Sequence, residues 1–454
     1  MKDFCCDVAV VGGGPAGLAA ALSAKTHGAR RVLIIERDFR LGGILEQCIH
    51  PGFGLKYFEE ELSGPEYAYR FIEKCREQGV ETLLNTMVLS IDEENHLIKG
   101  VNKGGVVTVK AEAIVLAMGC RERTRAQIVV PGSRPAGVYT SGTAQRFCNV
   151  QNHIVGNEIV IVGSGDIGMI MARRMTLEGA KVKAVVEVMP YLAGLTRNKV
   201  QCLDDFDIPL YLSHTVVDID GKLRVKKVTV AMVDENREPV KGTEFDIECD
   251  TVLLSVGLIP ENEISKAMGV ELSPVTKGAA VDSSMMTNIE GVFACGNVVH
   301  VNDLADNVSR EGELAGACAA AYAASHTGQD LEKEACGKRR LKAEPEGLVR
   351  YVVPQFVDRG NISSDTSFFF RVASPAENVT VEVICEDRVI YRRKKKFVNP
   401  GEMEEIVLKK EQLKDIEKGS LRIRANRTPV SGATVENAAD LRESKGCESI
   451  AEEV

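Results

Sequence analysis

The chain has 454 residues, of which 44% are hydrophobic and 5% aromatic, with no Trp and a formal net charge of −9. That length supports two or three domains with real cores, and the acidic balance and scarcity of stacking platforms exclude nucleic acid as the main partner. No apolar run approaches the roughly 18 residues of a membrane helix, and the first strand pattern starts almost at Met1. No signal peptide or transmembrane segment is therefore expected, and the expected setting is the cytoplasm.

The first element is an apolar strand running into a glycine turn, VAVVGGGPAG, with Gly12, Gly14 and Gly17. The first glycine turns tightly after the strand, the second lets backbone approach a pyrophosphate, and the third lets the following helix pack on the sheet. The helix N-terminus then offers unpaired N–H groups to the phosphates. RRVLIIER ends the next strand on Glu36, 19 positions after Gly17, where a carboxylate can accept from ribose hydroxyls. SGPEYAYRFIEKCREQG reads as a helix capped by Ser63, with Pro65 in its first turn and Gly79 at its end. Strands follow at MVLSI, HLIKGV, GVVTVK and AIVLAMG, the last ending at Gly119.

The order then repeats. IVIVGSGDIG carries Gly163, Gly165 and Gly168, and KVKAVVEV places Glu187 19 positions after Gly168. VKKVTVAMV and TEFDIEC form a meander, and TVLLSVG closes the unit at Gly257. IEGVFACGN is a further strand ending at Gly296, followed by the helix pattern SREGELAGACAAAYAAS, which has no fingerprint of its own and so completes the first unit. A charged segment, LEKEACGKRRLKAEPEG, leads into short alternating strands at TSFFFRV, NVTVEVI, DRVIYRR, EEIVL and SLRIRA.

The expected fold class is therefore α/β: two Rossmann-like dinucleotide-binding domains, the second inserted into a discontinuous first, plus a small C-terminal antiparallel β-sandwich. The expected boundaries are 1–122 and 259–330 for the first domain, 123–258 for the second, 331–347 for a linker, 348–427 for the β-rich end and 428–454 for a loosely ordered tail. The thirteen cysteines are scattered without any C-x-x-C pair, so no metal or cluster is expected.

On these motifs the chain resembles the two-dinucleotide flavoproteins that include glutathione and thioredoxin reductases. The resemblance covers about residues 1–330 and implies FAD in the first fingerprint and NAD(P)H in the second. For FAD it implies Gly12, Gly14, Pro15, Ala16, Gly17, Glu36, Arg37, Gly42, Gly43, Ile44, Val88, Ala117, Met118, Gly119, Gly296 and Asn297. Asn297 stands where that family has an aspartate. For the nicotinamide nucleotide it implies Gly163, Gly165, Asp166, Ile167, Gly168, Glu187, Val256 and Gly257. GCRERTRAQIVVPGSRPAGVYTSGTAQRFCN looks like the opine oxidase, hydrogen cyanide synthase and sarcosine oxidase alpha branch. GGILEQCIHPGFGLKYFEEELSGPEYA and the β-rich end look like flavoproteins encoded beside glycerol-3-phosphate dehydrogenase. This implies an electron-transfer subunit working with a second flavoprotein dehydrogenase subunit, with or without a small cysteine-rich iron–sulfur protein.

Disulfide reductases carry two redox cysteines just after Gly42 and Gly43; here those positions hold Leu45 and His50, so thiol–disulfide exchange at the flavin is not expected. Cys48 is read as a packed thiol beside the cofactor, and His50 as either a proton shuttle or a turn residue. Glu187 accepts from both ribose hydroxyls and repels a 2′-phosphate, favouring NADH over NADPH, with Arg197 the one nearby cation that could oppose it. Arg121, Glu122 and Arg123 are solvated hinge residues or an anion clamp, and Arg392–Lys396 a protected edge strand or a docking surface for an acidic partner. Two other functions fit the same motifs: a self-contained amine or opine dehydrogenase, and a non-catalytic redox-sensing module.

Overall fold

The computed structural model describes residues 2–326 and 340–428, apart from positions 361, 363, 415, 417 and 418. The first sheet is ordered Glu81–Leu83, Val32–Ile35, Lys2–Val11, Gly105–Leu116, Leu97–Asn102 and Met87–Asp92, with Val292–Ala294 also on Gly105–Leu116. Gly105–Leu116 is one strand where the sequence suggests two. Lys2–Val11 runs parallel along one side of it, and its other side is shared by the antiparallel Leu97–Asn102 and the parallel Val292–Ala294. Its last three residues are fully buried, as befits a strand covered on both faces. The return of Val292–Ala294 to this sheet makes the first domain discontinuous.

Two helices cover that sheet together. Pro15–Thr26 follows the first glycine turn, and Ala305–His326 starts one turn earlier than the Ala-rich pattern suggests. They touch backbone to backbone: a Cβ on Gly312 would lie 2.3 Å from Ala16 O, and one on Gly316 2.1 Å from Ala20 O. The helix Gly64–Glu77 begins on Ser63 with a capping box closed by Glu66, which satisfies two N–H groups reciprocally.

The second sheet is wholly parallel, ordered Leu210–Leu212, Lys181–Glu187, Glu158–Val162, Thr251–Leu254 and Val138–Thr140. A meander of His214–Gly221, Val225–Met232 and Phe245–Glu248 packs beside it. A ribbon of Cys120–Glu122 and Leu258–Pro260 carries the chain into the second unit and out again. No helix among the described residues is long and apolar enough to cross a membrane.

The C-terminal module has a five-stranded and a three-stranded sheet around Phe368, Phe370, Val379, Val383, Leu421 and Ile423. It is antiparallel except that its first strand, Arg340–Gly347, runs parallel to its last, Leu421–Arg427. The expected linker of 331–347 is corrected here: residues 340–347 belong to the sheet, because Leu341 and Ala343 alternate into its core despite the charged neighbours. The rest of that linker, and the expected tail beyond Thr428, lie outside the described residues.

The module is fastened to the first domain by polar contacts. Arg340 pairs at 3.1 Å with Asp282, which is wholly buried and also accepts from the backbone of Ser284 and Met286. Asp282→Ala leaves that guanidinium without its carboxylate, and is expected to destabilise the protein by about 3–5 kcal/mol, read as a lowered denaturant midpoint. A wild-type midpoint in the variant would show the fastening to be unimportant.

Candidate functional site

Each glycine turn is shaped by close backbone approach. Gly12 has φ +105°, and a Cβ there would sit 2.4 Å from Ala117 O; one on Gly17 would sit 1.9 Å from Gly12 O. Gly163 has φ +98° with Ser255 O 2.1 Å from such a Cβ, and Gly168 meets Gly163 O at 2.7 Å. Only glycine fits these places. Gly14, by contrast, has open space on its Cβ side, and the helices starting after Gly14 and Gly165 have no side-chain cap hydrogen bond. The first-turn N–H groups after Gly14 therefore face an open position, which suits a pyrophosphate, whereas at the second turn a Cβ on Gly194 would lie 2.8 Å from Asp166 N, so the loop at Gly194 covers the helix start.

The two carboxylates hold these turns in the same way. Glu36 is buried and accepts from Gly13 N–H at 2.7 Å and from Asp38 N–H at 2.8 Å. Glu187, also buried, accepts from Ser164 N–H and Oγ at 2.8 Å and from Met189 N–H at 2.9 Å. In each case one oxygen binds the residue after the first glycine and the other the backbone two residues on. Two acceptor sites remain on Glu36 and one on Glu187 for ribose hydroxyls.

Around the first turn the structure assembles residues from four segments. Gly42 N–H donates to Gly13 O at 2.8 Å, a Cβ on Gly43 would lie 2.9 Å from Gly14 Cα, and one on Gly296 would lie 2.8 Å from Ala16 Cβ. Ala117 donates to Val11 O, with Met118 and Gly119 following it. Pro15 opens the helix, and Ile44 is exposed beside Gly43. Arg37 points to solvent, and Val88 is buried in the core, so its backbone is what it can offer. Asn297 bonds Cys120 Sγ at 3.6 Å and accepts from Asn302 N–H at 2.9 Å.

Around the second turn, Asp166 accepts from Leu195 N–H and Asn198 Nδ2, at 2.8 and 2.6 Å, and Ser164 Oγ accepts from Ala193 N–H at 3.0 Å. The 193–198 loop is thus drawn over the fingerprint. Ile167 and Val256 are half-buried and Gly257 is exposed. Sequence reasoning missed Ser164, Ser255 and Asn198; Ser164 stands at an unspecified position of the fingerprint, and the other two become neighbours only through the fold.

The two units meet over the segment after Gly43. Gln47 donates to Gly142 O and Gln145 Oε1, both at 2.9 Å, Asn149 donates to Gln47 O at 2.8 Å, and Arg146 pairs with Asp38 at 3.0 Å. Leu45, at a reductase cysteine position, is buried. His50 lies at the other; its Nδ1 is 3.0 Å from Pro51 O and its ring packs on Phe53. Burial, aided by Arg173 and Arg197, holds its imidazole below the usual value, so it is neutral at pH 7 with Nε2 as an acceptor. Arg121 pairs with Glu263 at 2.7 Å and Glu261 at 3.4 Å, which makes it a fastener of the connecting ribbon. Arg121 is thus already paired rather than left free for an anion.

Burial pushes the Cys48 thiol up to about 12. The expected consequence is that thiol-alkylating reagents at pH 7.5 modify exposed Cys5 while sparing Cys48, and that Cys48→Ser changes turnover by less than about twofold. Rapid labelling of Cys48, followed by peptide mass, would contradict it. Among the described residues no group of three or more His, Cys, Asp or Glu could hold a metal.

A family model described as pyridine nucleotide-disulphide oxidoreductase matches residues 6–325. Hydrogen cyanide synthase subunit HcnB of Pseudomonas protegens is 29% identical over 58% of this chain and 58% of its own length. An opine oxidase subunit of Agrobacterium tumefaciens is 24% identical over 65% of this chain and 62% of its own. The chain thus matches about three-fifths of these relatives. A thioredoxin reductase from T. acidophilum superposes with a TM-score of 0.58 at 26% identity, covering 72% of this chain and 99% of that one.

Proposed function

Because the chain belongs to the pyridine nucleotide-disulphide oxidoreductase family, we propose that it is an FAD-dependent NAD(P)H oxidoreductase, working as the electron-transfer subunit of a larger dehydrogenase. What carries this is the pairing of two glycine turns, each braced by a buried carboxylate in the same hydrogen-bond pattern and each opening an uncapped helix. FAD in the first and NAD(H) in the second would, when bound, supply the hydride chemistry itself. The chain's residues bind and orient: the first-turn N–H groups after Gly14 and Gly165 hold phosphates, and Glu36 and Glu187 take ribose hydroxyls. Gln47, Gln145 and Arg146 hold the two units in register. Neutral His50 offers Nε2 as a proton acceptor at their junction.

The finer assignments rest on chemistry and likeness. Glu187 favours NADH over NADPH. The names of the cyanide synthase and opine oxidase relatives mark them as subunits, which supports a partner here: a second flavoprotein dehydrogenase subunit, with or without a small cysteine-rich iron–sulfur protein. The lack of any C-x-x-C and the high value of Cys48 argue against disulfide reduction. The eleven free cysteines among the described residues fit a reducing, cytoplasmic setting.

Anaerobic addition of NADH to the purified flavoprotein tests the proposal. It is expected to bleach the visible flavin absorbance without any added substrate. Flavin that stays oxidised would overturn it in favour of a non-catalytic sensor. Bleaching by an amine or opine in the absence of nucleotide would favour a self-contained dehydrogenase.

A further inference from the structure

Glu311 and His300 form a buried polar couple that the proposed chemistry does not use. The Glu311 side chain is 5% exposed and that of His300 wholly buried, with His300 Nε2 2.6 Å from Glu311 Oε1. Glu311 Oε2 accepts from Gly296 N–H at 2.8 Å, and Asn302 Nδ2 lies 3.4 Å from Oε1. Gly296 begins the turn that packs on Ala16, in the first turn of the helix after Gly14. On its other side the His300 ring meets Phe369 at 5.8 Å and Tyr351 at 6.3 Å, both from the three-stranded sheet of the C-terminal module. Its Nδ1 has no hydrogen-bond partner among the described residues. Beside it, Asp303 receives Met403 N–H at 2.7 Å and pairs with Arg371, both from the same module.

A carboxylate is costly to bury, and a structure that buries one beside an anion site must get something for it. Its two oxygens reach the Gly296 turn and the ring that the C-terminal module packs against. We infer that Glu311 and His300 are positioning residues that hold the Gly296–Asn297 turn against the flavin and tie it to the C-terminal module. This rests on the first fingerprint holding FAD. The couple sets two properties of the bound flavin. The hydrogen bond to Gly296 fixes the turn, and so governs FAD affinity. Removing the Glu311 carboxylate makes the field behind that turn more positive, and so raises the flavin potential.

The experiment uses the full chain, stripped of FAD and reconstituted. Glu311→Gln keeps volume and an acceptor for Gly296 N–H but removes the charge. It is expected to retain FAD and to raise the two-electron potential by about 30 mV, the equivalent of a tenfold change in equilibrium constant. Glu311→Leu and His300→Leu are expected to weaken FAD binding about tenfold or more, whereas His300→Gln, which can still donate to Glu311, stays within about threefold of wild type. Equal losses in the Gln and Leu variants would overturn the inference, since the retained hydrogen bonds would then count for nothing, and so would an unchanged potential in Glu311→Gln. Should the Leu variants not fold, the potential of Glu311→Gln still decides. A wild-type apoprotein that binds no FAD would instead sink the cofactor assignment on which this rests.

Discussion

Gly163→Ala is expected to leave the flavin spectrum of the purified protein intact while slowing its anaerobic bleaching by NADH at least about 100-fold. The residue sits at φ +98°, and the new Cβ would lie 2.1 Å from Ser255 O, so either the turn or the end of the strand Thr251–Leu254 has to move. A shift of about 1 Å at a nucleotide cradle is enough to cost two orders of magnitude in rate. The matched substitution in the first turn, Gly17→Ala, would place a Cβ 1.9 Å from Gly12 O and is expected to give protein without bound flavin. Absorbance of the two purified variants and rapid mixing with NADH separate the effects. If Gly163→Ala loses flavin, or is reduced at the wild-type rate, the assignment of the two cofactors to the two turns is wrong.

A preference for NADH over NADPH of about 100-fold in the reduction rate at limiting nucleotide is the second large effect, equivalent to roughly 2.7 kcal/mol. Glu187 is 4% exposed and held at both oxygens by Ser164 and Met189, so it cannot swing away from an incoming 2′-phosphate. Like charges placed together at a desolvated contact cost several kcal/mol. Arg197 lies exposed near the Gly52 turn, with its Nη2 3.6 Å from where a Gly52 Cβ would be. Its guanidinium therefore reaches toward the other unit. Glu187→Gln should bring the preference to within about tenfold, mostly by weakening NADH, because the Gln amide would present a donor to one of the N–H groups the carboxylate now accepts from. Parallel titrations of wild type and variant with both nucleotides check this. A wild type that prefers NADPH would refute the role given to Glu187.

Much of the dinucleotide architecture is legible in the chain because its signals are local. A glycine needed for φ near +100° or for a backbone contact cannot be replaced, so Gly12, Gly17, Gly163 and Gly168 stand out in any position-by-position inspection. The spacing of 19 residues to Glu36 and Glu187 follows from one helix and one strand between them, which are lengths that periodicity reveals. Ser63, Pro65 and Gly79 bracket a helix by capping chemistry that acts within one turn.

Other features escape because they depend on partners far away in sequence. Residues 340–347 are charged enough to pass for a linker, and only the pairing with Leu421–Arg427 explains why Leu341 and Ala343 alternate inward. Gly105–Leu116 looks like two strands because its two halves have different neighbours on one side. Arg121 could equally clamp an anion until Glu261 and Glu263, some 140 residues on, are seen to take it.

By itself, then, the sequence determined the two glycine turns, the residues that shape them and the acid that braces each, because those requirements are met within about 25 residues of chain. The tertiary structure alone decided what surrounds them: the Gln47–Gln145 contact that sets one unit against the other, the Glu311–His300 couple behind Gly296, and the C-terminal module that leans on it. Buried polar groups must find partners wherever the fold brings them, and hydrogen bonds spanning tens to hundreds of residues leave no periodic mark on the chain.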